Sequence, residues 1–396
     1  MRLRLILAAL HAWVAWRIGP SLGPLGATLF VLLLVASVIA MPYGLRARRR
    51  RGSESPDLLA WVALVAMGLF SSLFVLTLVR DVGLLVLAAF DALAPARIGF
   101  AAAERASAIA VPVAAAVITL WGFANARRTA RIARVNVPVL NLPAELEGFS
   151  IVQISDVHVG PTIRRPFVEA IVAAVNDLDA DMVAITGDLV DGPVSDLAAH
   201  VAPLAGLRSR DGTFFVTGNH EYYSGAAGWI RELRRLGIRV LLNEHVVLRR
   251  GAAAIVVAGV TDFSAAHFDR SQASDPKAAI AGSPPGVALR VLLAHQPRSA
   301  AAAEAAGFDL QLSGHTHGGQ FFPWNFFVRL QQPFTAGLNR WRRMWVYTSR
   351  GTGYWGPPKR FGAPSEITLL RLVRARVPAA QRSAVPPRVA DGAAGL

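Results

Sequence analysis

The chain has 396 residues, of which 53% are hydrophobic and 17% charged, and it contains no cysteine. The length allows two domains of ordinary size, the apolar excess points to membrane spans, and the missing thiols exclude disulfides and thiolate metal sites. A formal net charge of +15 would suggest nucleic acid, but the arginines cluster just beyond long apolar runs, where membrane insertion places them, so no nucleic-acid partner is expected.

Leu25 to Met41, Leu58 to Val79 and Ala106 to Ala126 approach or exceed the roughly 18 to 20 apolar residues that cross a bilayer as helix. The run from Leu5 to Trp16 is shorter and follows Arg2 and Arg4. It reads as a first span, with a signal sequence or an interfacial helix as alternatives. Val82 to Pro95, interrupted by Asp91, reads as an interfacial or re-entrant helix. Basic clusters stand at Arg46, Arg48, Arg49, Arg50 and Arg51 and again at Arg127, Arg128, Arg131 and Arg134. About four transmembrane helices in residues 1–134, with an inside N-terminus, put both clusters on the cytoplasmic side. The expectation is a multi-pass protein of a bacterial inner membrane whose second half is cytoplasmic and whose basic residues meet membrane lipids.

From about Asn136 short β-branched runs alternate with amphipathic stretches. Ser150 to Ser155, Asp181 to Thr186, Thr213 to Thr217, Ala254 to Val260, Leu289 to Ala294, Asp309 to Ser313, Trp345 to Ser349 and Glu366 to Leu372 read as strands. Pro166 to Leu178, Val194 to Leu207 and Ala226 to Leu236 read as helices. Residues 135–375 thus form an α/β domain, and 376–396, rich in Ala, Pro and Arg, an expected disordered tail.

Five of the strands run into residues that can bind metal: Asp156-Val157-His158, Gly187-Asp188, Gly218-Asn219-His220-Glu221, Ala294-His295, and Gly314-His315-Thr316-His317-Gly318-Gly319. Open α/β sheets place their sites at such carboxyl ends, so one edge of a sheet is expected to carry one site. Five of the nine histidines fall in these motifs, a concentration that scattered surface or core imidazoles would not produce. Asp156, His158, Asp188, Asn219, His295, His315 and His317 are too many ligands for one ion. Two ions about 3.5 to 4 Å apart, sharing a carboxylate, would use them all. Oxygen and imidazole donors suit Mn, Fe, Zn, Ni or Co.

The ordered motif series, across roughly Val135 to Leu372, resembles the calcineurin-like metallophosphoesterases, most closely their membrane-anchored branch. The resemblance implies a four-layer α-β-β-α sandwich of two mixed sheets behind the N-terminal helical membrane region. It also implies a two-metal phosphoester hydrolase. Asp156, His158 and His317 would bind one divalent ion, Asn219, His295 and His315 the other, and Asp188 would bridge. An activated hydroxide would attack phosphorus in line, with His220 as general acid for the leaving group. Asp191 and Glu221 either orient imidazoles or cap helices.

Between Phe321 and Trp345 six aromatic residues alternate with arginines, without regular period. Such a stretch reads as an insertion at the mouth of the site that touches lipid headgroups. Arg350 and Arg360 could pair with substrate phosphate. Together these features suggest a lipid-linked phosphodiester or pyrophosphate as substrate. The alternatives are a hydrolase of soluble phosphodiesters localised by its anchor, or a membrane scaffold or transporter regulated by the domain.

Overall fold

The apolar first third of the chain folds as helix. The computed structural model describes residues 2–47, 58–93 and 99–375, and it begins with α1 (Arg2–Ile18), α2 (Gly23–Ala47), α3 (Leu58–Leu93) and α4 (Phe100–Arg127). A 3-10 turn over Gly19–Leu22 joins α1 to α2. The two helices fold back on each other there: His11 Nε2 lies 3.1 Å from Ser37 Oγ, 26 residues away, a separation of about 39 Å along one straight helix. Three helical stretches, Arg4–Gly44, Leu58–Leu93 and Phe100–Arg127, are long and apolar enough to cross a membrane. Val14, Ile18, Leu34, Phe70, Leu73 and Val111 pack against one another inside the bundle. Leu29, Leu32, Val79, Leu85 and Leu120 are exposed on its outside, as expected of helices solvated by lipid.

Val82 to Leu93 is not a separate interfacial helix. It continues α3 without a break, giving one helix of 36 residues and about 54 Å. Asp91 costs such a helix well under about 1 kcal/mol, too little to end it amid strong helix formers. Arg80 is buried between helices, donating to Ser107 Oγ at 3.0 Å and to the Glu104 carbonyl at 3.2 Å, while Arg17 makes paired bonds of 2.8 and 2.9 Å to Asp81. These ionisable groups are satisfied within the bundle, which leaves the transporter alternative without support from them. Arg48 to Arg51 and the expected tail at 376–396 lie outside the described residues.

The strands that follow are β1 (Arg131–Val139), β2 (Ser150–Ile154), β3 (Met182–Ile185), β4 (Thr213–Phe215), β5 (Arg239–Val240), β6 (Glu244–Arg250), β7 (Ala253–Gly259), β8 (Leu289–Leu293), β9 (Leu310–Ser313), β10 (Gly337–Trp341), β11 (Met344–Thr348) and β12 (Glu366–Arg374). They form two six-stranded sheets, in the orders β1-β12-β2-β3-β4-β5 and β10-β11-β9-β8-β7-β6. Both are mixed: β2 to β5 and β7 to β9 with β11 run parallel, and β12, β6 and β10 introduce antiparallel pairs.

Alternation along single strands builds the layers. On β3, Met182 and Ala184 face the second sheet, where they meet Ile255, Val291 and Leu312. Val183 and Ile185 face the helices, against Ile171 and Val175 of α5 (Arg165–Asn176) and Trp229 and Leu233 of α8 (Ala226–Arg235), with α6 (Val194–Val201) and the short α7 (Asn219–Tyr223) completing that side. Behind the second sheet, Leu292 and Ala294 pack on Ala279 of α9 (Pro276–Ile280) and Ala300 and Ala303 of α10 (Ala300–Ala305). A strand buried on both faces reads as a near-continuous apolar run: β3 is apolar at every position, and β8 is interrupted only by Arg290. The result is the expected helix-sheet-sheet-helix sandwich.

Four strands carry no signal that the sequence reading used. β1 lies in the basic stretch assigned to the membrane flank, and it is held by a nine-residue parallel register with β12, from Arg131 opposite Glu366 to Val139 opposite Arg374. β5 has two residues, β6 is a polar edge strand, and β10 pairs with β11 inside the aromatic insertion, which also contains α11 (Asn325–Val328).

Candidate metal centre

β2, β3 and β4 of one sheet end just before Asp156, Asp188 and Asn219, and β8 and β9 of the other just before His295 and His315. The candidate ligands therefore meet where the edges of two sheets coincide, a correction to the single sheet edge expected from sequence. Backbone bonds lock the converging loops: the Asp156 amide donates to the Gly187 carbonyl at 3.0 Å, and the Gly314 amide to the His295 carbonyl at 2.9 Å.

Two groups of donor atoms result. His317 Nε2 lies 3.0 Å from His158 Nε2 and 3.4 Å from Asp156 Oδ1. His295 Nε2 lies 3.1 Å from both Asp188 Oδ2 and His315 Nδ1. Asp188 Oδ2 is 3.9 Å from His158 Nε2, so its carboxylate stands between the groups. Each trio, Asp156 with His158 and His317, and Asp188 with His295 and His315, is compact enough to hold one ion. Asn219 supplies an independent sign. Its Oδ1 is buried with no hydrogen-bond partner, an arrangement that costs about 1 to 3 kcal/mol and that a cation would relieve. The donor set, oxygen and imidazole without sulfur, fits a pair of divalent ions.

The backbone is bent to make this possible. Asp156, His158, Asp188, His315 and His317 have φ of 54°, 55°, 50°, 69° and 51°, the left-handed region that L residues avoid. Glycine supplies room beside them: a Cβ on Gly218 would overlap Asp188 Oδ1, and one on Gly314 would overlap Asp156 Oδ2. Hydrogen bonds fix the imidazoles. Asp191 Oδ1 accepts from His158 Nδ1 at 3.2 Å and from His220 Nδ1 at 2.5 Å, and the Thr186 carbonyl accepts from His295 Nδ1 at 2.8 Å. The Thr186 contact could not be read from sequence, because a backbone carbonyl belongs to any residue type.

Electrostatics follow from burial and mutual charge. Burial raises Asp156. It would raise Asp188 as well, but the charges of His295 and His220, then the bond to His295, outweigh it and hold that carboxyl well below the usual range. His295, opposed by burial, is raised well above its ordinary value by the charge of Asp188. Desolvation, then the charge of His295, pushes His315 down to about 3, and desolvation with Arg360 holds His317 low. His315 and His317 are thereby kept as neutral imidazole, the form that ligates metal, whereas His295 would give up its proton to an ion.

Of the two readings of Glu221 the helix cap holds: its carboxylate takes the backbone amides of Asp188, Leu189 and Gly218 at 3.0, 2.8 and 2.6 Å, capping α7 and bracing two ligand loops, and burial, then the charge of Asp188, pushes it up to about 8. Two expectations change. Arg360 does not face substrate. It is 1% exposed, and its guanidinium is consumed by the carbonyls of His317 and Arg350 at 2.9 and 2.7 Å and by His317 Nδ1 at 3.0 Å. Arg350 is paired through Nη1 with Glu366 at 3.0 Å. At the rim, sequence reasoning missed Tyr223 and Trp355, whose rings stand 5.1 and 6.1 Å from that of His220. The Glu-Tyr-Tyr run after His220 was the available signal for the first.

Residues 149–319 match the calcineurin-like phosphoesterase family. The chain is 38% identical over 268 residues to a transmembrane protein with metallophosphoesterase domain from Danio rerio, covering 66% of this chain and 61% of the relative. It is 42% identical to the protein of that name from Bos taurus, covering 65% and 60%, so it spans about three fifths of the length of these two. An uncharacterized metallophosphoesterase of Aquifex aeolicus is 32% identical over 61% of this chain and 91% of its own length. With its two-sheet sandwich and this cluster of histidines and carboxylates, the chain belongs to the calcineurin-like phosphoesterase family.

Proposed function

We propose that the chain is a metal-dependent phosphoester hydrolase acting on a lipid-linked phosphodiester or pyrophosphate, with its catalytic domain on the cytoplasmic side of a bacterial inner membrane. The hydrolase reading is carried by the convergence of Asp156, His158, Asp188, Asn219, His295, His315 and His317 at one point. Two divalent ions there would neutralise phosphoryl oxygens and lower the pKa of water. Asp156, His158 and His317 would hold the first ion and Asn219, His295 and His315 the second, with Asp188 between them available to both. His220 is fixed through Nδ1 by Asp191, which directs Nε2 towards Asp188, 3.9 Å from Oδ2. From there it protonates the departing alkoxide. Tyr223 and Trp355 flank it and shield that proton transfer from bulk water.

The lipid reading is supported by the orientation of the site relative to the helices. Trp324, five residues after Gly319, donates through Nε1 to Ser71 Oγ of α3 at 3.0 Å. Around it Phe322, Phe326, Phe327 and Leu330 are exposed. This apolar lip lies against α3, a helix long and apolar enough to cross a membrane, and follows the metal-binding loop directly, which supports a role at the lipid surface.

The test is a substrate panel with the full-length protein in nanodiscs and added Mn2+: a lipid-linked pyrophosphate, a phospholipid, a cyclic nucleotide and bis(p-nitrophenyl) phosphate. Turnover of a lipid-linked substrate, lost with chelator and with Asp188→Asn, is expected. Turnover confined to soluble diesters would overturn the lipid reading, and no metal-dependent turnover of any phosphoester would overturn the hydrolase reading.

A further inference from the structure

Between Trp355 and Ala363 the chain crosses from the centre to the helices and back. Lys359, 1% exposed, passes between α3 and α4. Its Nζ donates to the Gly68 carbonyl at 2.8 Å, to Ser72 Oγ at 2.5 Å and to Thr119 Oγ1 at 3.3 Å, and it lies 5.0 Å from the Phe321 ring. All three acceptors are neutral, and desolvation brings the ammonium down to about 8. The next residue continues the link. The Arg360 amide donates to the Gly122 carbonyl of α4 at 2.8 Å, and the Arg360 carbonyl accepts from Asn125 Nδ2 at 3.3 Å, while its guanidinium holds both the carbonyl and Nδ1 of His317.

The helices are cut to receive this strap. A Cβ on Gly122 would lie 2.7 Å from Lys359 Cγ, and one on Gly68 3.2 Å from Pro357 Cβ. Small residues on α3 and α4, which in membranes usually admit a second helix, here admit a loop of the catalytic domain. Simple anchoring does not need a buried cation. An ammonium among neutral acceptors is costly to desolvate, and an apolar side chain of equal volume would pack with less penalty. What the two consecutive cations do provide is a rigid connection of about two residues between membrane helices and a ligand of the metal centre.

We propose that Lys359 and Arg360 are positioning residues through which the packing of α3 on α4 sets the orientation of His317, so that the membrane helices form part of the structure of the metal site. This rests on the reading of His317 as a metal ligand. Groups that orient ligands change metal affinity by about 10- to 100-fold when removed, and the same size of effect is expected from changes made inside the membrane helices, which reach His317 through Lys359 and Arg360.

The experiment measures Mn2+ binding, by titration with detection of free and spin-coupled Mn2+ by electron paramagnetic resonance, on full-length protein in nanodiscs. The variants are Gly122→Val on α4, Ser72→Ala on α3, Lys359→Met, and Thr28→Val on the exposed side of α2 as control. Wild type and Thr28→Val are expected to bind two ions. Gly122→Val and Lys359→Met are expected to bind one of the two at least tenfold more weakly and to lose the spin-coupled signal, with Ser72→Ala in the same direction. If Gly122→Val fails to fold, Lys359→Met and Ser72→Ala decide, since neither adds volume to the helix contact. Two ions at wild-type affinity in the folded variants would overturn the proposal. Failure of the wild type to bind two ions would instead overturn the reading of the centre itself.

Discussion

Five of the seven candidate ligands sit in left-handed backbone, a conformation that costs an L residue about 1 to 2 kcal/mol. Such strain persists only where the surroundings over-determine it, and here Glu221 gathers three amides from two of the ligand loops. His220 differs from these five in having ordinary helical context in α7, where its Nδ1 is bonded to Asp191 and its amide donates to Asp188 Oδ1 at 2.8 Å. If it delivers a proton to the leaving group, its removal matters in proportion to how badly the leaving group needs one. His220→Gln is therefore expected to lower kcat about 10²-fold or more for an alkyl ester, and only a few-fold for a p-nitrophenyl ester, with Mn2+ content unchanged. Steady-state kinetics on the two esters check this, and equal losses on both would remove the acid role. At this scale the sequence was informative because metal binding restricts residue type: Asp, His and Asn immediately after apolar strands have few other uses. Arg360 was misread for the complementary reason. A guanidinium in a glycine-rich loop serves substrate and protein carbonyls equally well, and only its burial distinguishes them.

Among the elements, the strands buried on both faces were legible, since Met182 to Ile185, apolar throughout, and Leu289 to Leu293, apolar but for Arg290, fit only between two layers. β1, β6 and β10 were not, because each keeps one side or one edge in solvent and takes its register from a neighbour. Nothing in Arg131 to Val139 announces that it will pair with residues more than two hundred positions away. The aromatic insertion falls between these cases: its composition indicated a surface role, while its division into α11 and the β10-β11 hairpin depended on tertiary contacts. On α11, Phe326 and Phe327 are 64% and 54% exposed, and burying such rings in a membrane interface is worth about 1.5 to 3 kcal/mol each. If the lip engages lipid, the double substitution Phe326→Ser with Phe327→Ser should raise KM for a vesicle-borne substrate at least tenfold. It should leave kcat/KM for bis(p-nitrophenyl) phosphate within twofold. Equal effects on the two substrates would assign the rings to folding of the insertion instead.

For the molecule as a whole, the helices and the sandwich share a boundary at the carboxyl end of α4. Arg127 there donates to the Thr162 carbonyl at 3.0 Å and lies over the Trp61 ring of α3 at 5.2 Å. The end of α3 that carries Trp61 and the end of α4 that carries Arg127 are thus on the side of the catalytic domain, and Leu93 and Phe100 are on the far side. The contact of Gly44 with Ala63 and Leu64 brings the end of α2 to the near side as well, the side on which Arg127 ends α4 and Arg128, Arg131 and Arg134 follow it. Basic residues concentrated at one face select the cytoplasm during insertion. The chain has no cysteine, which makes the consequence directly measurable with single-cysteine variants in intact cells. Lys277→Cys, in the exposed part of α9, should resist a membrane-impermeant maleimide until the cells are permeabilised. Leu93→Cys, 83% exposed at the far end of α3, should react without permeabilisation. Labelling of Lys277→Cys in intact cells would place the catalytic domain on the outer face, where a substrate made in the cytoplasm would first have to cross the bilayer to reach His220.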